Sequence, residues 1–344
     1  MKQYGYSIIT AVVATVLLLT SCQKDLCYNH YAAADVSFSW EKEWERNYGM
    51  SYASNWDAAY YGYSYDDLRP VMPEWVALVK YSADGELSEK VLSLQGGELA
   101  LDGSSNQSFL FYNGDTEYIV FSDLEKPYAS ATTTSRTRAS ISYIKERHPD
   151  VRSMNPPDVL YASFIDKVPN VGVHELYPMP VKMQPLVYTY LVRYEFEHGK
   201  EQITYARGAI GGLAEAVYLR DGKTSDKSAI ILYDCAVTPY GCEAQVRSFG
   251  VPGFPDEYYG RSADNLTPER LYTLNLEVAL EDGKTLEFNF DITDQMAKQP
   301  RGGVIKVTGL RIEDGQEISD SAFEVDVANW GDRVEVDLPV SSTE

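Results

Sequence analysis

Histidine is scarce in this chain. There are 4 in 344 residues, at positions 30, 148, 174 and 198. They are far apart in sequence, and none has the His-x3-His spacing of a metal site. A Gly-x-Ser-x-Gly elbow, a phosphate loop with its Lys-Ser/Thr pair and a dinucleotide fingerprint are also missing. The glycine-rich run from 208 to 212 lacks the lysine of a phosphate loop, and a strand of small residues where two backbones approach accounts for it. With 51 Asp and Glu in the chain, no pair of carboxylates stands out as a glycosidase pair. The sequence therefore assigns no catalytic residue, no metal and no cofactor, and points away from an enzyme.

Basic residues are also few. Lys and Arg number 30 against 51 acids, a formal net charge of -21. Such a chain repels nucleic acid and anionic headgroups. Long apolar runs are missing after residue 21. The one such run, 8–19, is about 12 residues, against the roughly 20 a helix needs to cross a bilayer.

What is present begins at that run. Lys2 precedes it, and Leu19-Thr20-Ser21-Cys22 closes it. A basic start, a short apolar core and small residues before a cysteine make a lipoprotein signal. Residues 1–21 are then the signal peptide, and Cys22 is the lipidated first residue of the mature chain. Its thiol takes a diacylglyceryl group by thioether formation, and its freed amine can take a further acyl chain. Each buried CH2 contributes about 0.8 kcal/mol, so two or three chains anchor firmly. The expected partner is the outer membrane, reached through the Cys22 lipid, with the protein facing the exterior. Residues 22–31 form a short tether.

The rest reads as all-β. Hydrophobic residues make up 44% and tyrosine numbers 27, which excludes a disordered chain. Short alternating runs near 34–40, 75–81, 90–94, 108–112, 118–121 and 158–164 are separated by Gly and Asp turns. A proline-rich stretch, 169–185, reads as the change of domain. The pattern restarts at 186–196 and continues through 229–233, 243–249, a hairpin of 271–280 with 285–292, 304–310, 323–330 and 334–338. Strands at such intervals form sandwiches rather than a βαβ sheet. Two tandem β-sandwich domains are expected, 32–185 and 186–344. Residues 129–158, basic and ending at Pro156-Pro157, read as a long exposed loop open to proteases.

Two features invite a functional reading. Residues 40–65 are crowded with aromatics, Trp44, Trp56 and Tyr60 among them. They either fill a core edge of the first domain or form a platform for a glycan, with Trp44, Trp56 and Tyr60 as contacts. Lipidation of Cys22 leaves an odd number of cysteines, Cys27, Cys235 and Cys242, so at least one thiol is unpaired. Cys235 and Cys242 flank a turn, and either a cross-strand disulfide or two reduced thiols fits.

Several residues carry a resemblance. Cys22, then Leu26-Cys27-Tyr28-Asn29-His30, then a strand ending at Trp40, is similar to the start of a family of fimbrillin-related surface lipoproteins of the Bacteroidales. The run from Arg207 to Leu219 and the end, Ala328-Asn329-Trp330 with Val334 to Leu338, resemble the second domain of that family. Gln23-Lys24-Asp25 is similar to its surface-export signal. The resemblance implies two transthyretin-like β-sandwiches and a fimbrial accessory or anchor subunit, or a fimbria-like cell adhesin. Fimbrial subunits and host or glycan ligands are then the implied partners. It also implies maturation by a cut after an arginine near the start, followed by strand exchange. Arg46 lies in that region, although an ordinary surface arginine explains it as simply, and anchor subunits skip the cut.

Overall fold

The computed structural model describes residues 32–46, 52–82, 87–101, 107–138, 141–172, 175–256 and 270–313. Cys22, Cys27, the signal and tether, His30, His174 and the strands expected at 323–338 lie outside the described residues.

The first half supplies ten strands: β1 (Ala32–Trp40), β2 (Val76–Tyr81), β3 (Leu87–Leu92), β4 (Gly97–Leu101), β5 (Ser108–Tyr112), β6 (Ile119–Ser122), β7 (Ser130–Thr133), β8 (Ser153–Met154), β9 (Tyr161–Ile165) and β10 (Leu176–Pro185). Seven of them form one continuous ladder in the order β3-β2-β5-β9-β10-β1-β4. It folds over at β10, which runs parallel to β1 from Leu176 to Met183 and meets β9 only through Gln184 and Pro185. The result is two layers. Ala34 and Val36 from β1, Met179, Val181 and Met183 from β10, and Leu99 from β4 meet Leu78, Phe109, Phe111 and Tyr161 from the other layer.

The proline-rich stretch read as a change of domain is thus largely strand. Pro178 and Pro180 lack an N–H to donate. Over that part of β10, among the described residues, the strand has β1 on one side and no neighbour on the other, which is the edge position where proline is tolerated. Inward Met179, Val181 and Met183 alternate with outward residues, and that period of two outweighs the proline signal.

The second half begins at β11 (Tyr188–His198) and adds β12 (Ile203–Ala214), β13 (Ala216–Tyr218), β14 (Ser228–Thr238), β15 (Gly241–Ser248), β16 (Thr273–Leu280), β17 (Thr285–Asp291) and β18 (Gly303–Arg311). Strand β14 turns the corner here. Residues 228–235 pair with β12, and residues 236–238 pair with β15. One layer is therefore β17-β16-β12-β14 and the other β15-β11-β18. Tyr190, Val192, Tyr194 and Phe196 from β11 fill the space between them, against Ile210, Ile231, Leu274, Leu276 and Val278. Gly208 is required in β12 because a Cβ there would lie 2.3 Å from the Tyr233 ring. That ring's hydroxyl bonds the buried Tyr194 hydroxyl at 2.8 Å, and burial holds both phenols well above their usual pKa.

Residues 129–158 are not a free loop. Strand β7 pairs with β6 on one side and β13 on the other, so a three-stranded sheet joins the two halves. Strand β8 adds to the exposed edge of β14. Between them, helix α3 (Ser142–Arg147) presses Ile144, with Ile141 just before it, onto Ala209, Ile230 and Leu232. His148 follows, its Nε2 2.9 Å from the Thr273 hydroxyl. The basic residues that suggested exposure are used in docking. Arg136 pairs with Asp234 at 3.0 Å, Arg138 donates to the Gly208 carbonyl and to Asn275, and Arg152 pairs with Glu215. Their partners are far along the chain, which is why local composition misread them.

Candidate functional site: an aromatic strap over the second sandwich

After β1 the chain leaves the first sandwich and returns at β2. In between lie two single-turn helices, α1 (Tyr52–Asn55) and α2 (Ala58–Tyr61), and a 3-10 turn, Tyr65–Leu68. Asp57 caps α2 by accepting from the Ala59 and Tyr60 amides at 3.0 and 3.1 Å. Gly62 ends it at φ +84, a left-handed position that suits glycine. A single helical stripe of aromatics does not form. The rings gather instead as a compact cluster.

That cluster sits on the outer face of β11 and β18, with Trp44 and Leu68 against Leu191 and Val304. Trp44 is fully buried, edge-on to Trp56 with centroids 5.7 Å apart. Trp56 is stacked on Tyr61 at 4.0 Å, and its indole N–H donates to the Tyr63 carbonyl at 2.9 Å. The backbone is tied down too. The Thr189 amide donates to the Trp44 carbonyl at 2.6 Å, and the Arg46 amide to the Arg301 carbonyl at 2.7 Å. The strap can lie this close because residue 302 is glycine, at φ +73. A Cβ there would come within 2.7 Å of the Trp44 carbonyl oxygen.

The far end of the strap closes around Arg193. On β11, Tyr190, Val192 and Tyr194 face the core, so Leu191, Arg193 and Glu195 face the strap. Arg193 is buried, only 3% exposed. Its guanidinium lies 3.5 Å from the Tyr240 ring centroid and 4.2 Å from that of Tyr60. It donates to the Tyr60 carbonyl at 3.1 Å and to Glu195 at 3.0 Å, and lies 3.7 Å from Glu243. The tyrosines complete the ring of bonds. Tyr60 donates to Glu195, Tyr63 to Glu243 at 3.0 Å, and Tyr240 to Glu243 at 2.6 Å. Burial first, and then the neighbouring carboxylates, push the Tyr60, Tyr63 and Tyr240 phenols far above their usual pKa. The cage is thus one buried cation shared by two carboxylates, with tyrosines supplying donors and ring faces.

The three aromatics expected as ligand contacts differ in how open they are. Trp44 has no exposed surface and Trp56 is half-buried with one face covered by Tyr61, whereas Tyr60 keeps 37% of its surface exposed with its ring over Arg193 and Lys306. The aromatics are used in fastening the strap, and they fasten it to the second sandwich rather than to a core edge of the first. Arg46 is held as well. Its side chain meets Glu41 at 2.7 Å and Glu43 at 3.2 Å, and its backbone is bridged to Arg301. Cys235 and Cys242 are both free. The β14–β15 register sets Cys242 opposite Val237, not opposite Cys235, so the two are not a directly facing cross-strand pair. Burial raises both, Cys242 to about 12 and Cys235 further. Sequence reasoning missed Arg193, Glu195, Tyr240 and Glu243. The signal was there in one respect: a charged pair in the middle of the most apolar strand marks a face that must be matched by something. Among the described residues there is no cluster of three or more His, Cys, Asp or Glu that could hold a metal.

A chain of two β-sandwiches, with strap and excursion from the first laid on the second, defines the class by fold. Residues 66–234 match a family described as a domain of unknown function, DUF5119. The chain has the fold of a "putative adhesin" from Bacteroides ovatus, at TM-score 0.55 and 19% identity, over 86% of this chain and 97% of that one. More distant similarities are to the fimbrial anchor protein Mfa2 from Porphyromonas gingivalis (TM-score 0.44, 10% identity, 81% and 90% covered). A putative polysaccharide binding protein from Bacteroides thetaiotaomicron is at a similar distance (TM-score 0.42, 8% identity, 81% and 90% covered). No curated protein is detectably similar in sequence. The family match covers residues 66–234, and the likeness to the Bacteroides ovatus protein, at 19% identity, is one of fold.

Proposed function

We propose that this protein is a non-enzymatic surface lipoprotein that works as a fimbrial accessory or anchor subunit, or as a fimbria-like adhesin. The observation that carries this reading is the mutual embrace of the two sandwiches. The strap grips one face of the second sandwich through Arg193, and the excursion at 134–154 grips the other. A load applied at the first sandwich then passes to the second through two bonded faces and a shared sheet, not through one linker. That suits a part that holds others at the cell surface. The lipobox at Cys22 and the fold held in common with the Bacteroides ovatus protein agree with it. Transthyretin-like topology, the boundary at 185–186 and the outer-membrane location belong to the same proposal. Among the described residues no helix is long and apolar enough to cross a membrane, so in this reading the lipid does the anchoring.

Two experiments test it. Native cells labelled with palmitate should yield a labelled chain in the outer-membrane fraction, and Cys22→Ser should abolish the label and release the protein. Fimbriae purified from those cells should contain the chain, and its deletion should change their number, length or adhesion. Absence from fimbriae together with an unaltered deletion strain would end the fimbrial reading.

A further inference from the structure

The three-stranded sheet that joins the two halves has one buried face and one open face. Inward Ile119, Ala131 and Val217 belong to the core between the sandwiches. The outward residues fall in register. Tyr118 lies beside Thr134, whose amide donates to the Tyr118 carbonyl at 2.9 Å. Val120 is in line with Thr132 and Ala216, and Ser122 with Ser130 and Tyr218. The Leu219 amide donates to the Ala129 carbonyl at 2.9 Å, which carries the pairing on and sets Tyr128 beside Arg220, guanidinium to ring centroid 5.5 Å. Arg220 also pairs with Asp166 at 3.3 Å. From Thr134 to Tyr128 is about 20 Å of strand.

Tyr118, Val120, Tyr218 and Tyr128 are 37%, 43%, 41% and 70% exposed on this one face. Single exposed rings need no explanation, but a run of them along one strand direction marks a binding surface. Among the described residues the three phenol hydroxyls, and those of Ser122 and Ser130, make no hydrogen bond within the protein. Until the Arg220–Asp166 pair closes one end, the outward side chains carry no charge, in a chain of net charge -21. Flat rings with free hydroxyls between them match a ligand that has apolar C–H faces and a rim of hydroxyls. A neutral ligand of that kind meets no repulsion here, while an anionic one would meet the acidic chain around it.

We propose that this face binds a neutral oligosaccharide laid along β7, with its sugar rings on Tyr118, Tyr218 and Tyr128. The serines and the Arg220–Asp166 pair take its hydroxyls. The proposal uses a surface distinct from the strap and holds whether or not the chain is a fimbrial subunit. It is tested by calorimetry on the mature chain with linear neutral oligosaccharides of glucose, mannose, galactose and N-acetylglucosamine. Dextran sulfate and dextran form the charged and uncharged arms. At least one neutral oligosaccharide should bind, and Tyr128→Ala with Tyr218→Ala should weaken it about tenfold, as expected for two lost ring contacts. The melting temperature should be unchanged, because both rings are exposed, and Tyr60→Phe at the strap should bind as the wild type does. The proposal is overturned by no binding across the neutral set, by binding that survives the double substitution, or by tighter binding of dextran sulfate than of dextran. Self-association of the chain that the same double substitution abolishes would show a protein interface instead and would overturn it equally.

Discussion

Replacing Arg193 by Met tests the cage that holds the strap. Methionine keeps much of the stem volume and removes the charge. The guanidinium is 3% exposed and lies between Glu195 and Glu243. Removing one partner of a buried ion pair costs about 3–5 kcal/mol, most of it from the stranded charge. Here the carboxylates keep other partners: Lys306 at 3.3 Å and Tyr60 for Glu195, Tyr63 and Tyr240 for Glu243. That moves the expected loss to the low end, about 3 kcal/mol, with the lost ring contacts to Tyr60 and Tyr240 included. For a chain of this size the melting temperature should fall by roughly 5–10 °C. Urea unfolding measures the loss, and trypsin digestion under native conditions reads the strap directly. Cleavage after Arg46 should accelerate in Arg193→Met, since Arg46 borders the cluster and Asn47 follows it. The triple variant Arg193→Met, Glu195→Gln, Glu243→Gln should recover most of the stability, because no buried carboxylate is left without its cation and Lys306, which loses Glu195, is 35% exposed to water. A single variant that loses less than about 0.5 kcal/mol, as an ordinary surface change does, with unchanged cleavage, would refute the assignment of the cage as the fastener.

Three further outcomes follow from the same geometry. His148 is buried against Thr273, and Gly211 leaves room for its ring. Burial, then Arg147, lowers its pKa. The unfolded chain therefore takes up a proton near pH 6.5 that the folded chain refuses, so stability should fall as pH drops below about 6.5, by up to about 1.4 kcal/mol per pH unit for one proton. In His148→Gln that slope should flatten in urea titrations across pH 5–7. Gly302→Ala should destabilise the chain by more than about 1 kcal/mol, because φ +73 and the Trp44 and Thr189 carbonyls both oppose a Cβ, and hydrogen exchange should quicken at the Thr189 amide. The thiol of Cys242 is buried, that of Cys235 is partly buried, and both are raised in pKa, so iodoacetamide at pH 8 should leave them unmodified in peptide maps of the native chain and modify both in denaturant.

The strands were legible wherever local alternation carried them. Residues 75–81 and 108–112, and the hairpin closed by Gly283, appear close to where the pattern of two sets them. The Arg207 to Leu219 run formed β12 and β13, with small residues where a neighbouring ring needs the space. Strand β10 was hidden, because proline reads as a breaker until its open edge is known. The candidate site was half legible. The density of rings in 40–65 announced something ordered, but not what the rings would cover. Arg193, Glu195 and Glu243 are separated from Tyr60 by more than a hundred residues, and no local signal links them.

By itself, then, the sequence determined the all-β class, the lack of any recognisable catalytic motif and the expectation of a lipid at Cys22, since each rests on local pattern or on single residue types. Only the tertiary structure decided that the aromatic stretch is a strap, that the basic excursion at 134–154 is a clamp and that Cys235 and Cys242 are not a directly facing cross-strand pair. Those facts depend on strand pairing and on partners distant in sequence. Burial decided the rest. A tryptophan or an arginine looks the same in a sequence whether it meets water or a second sandwich, and only the fold sets which one it meets.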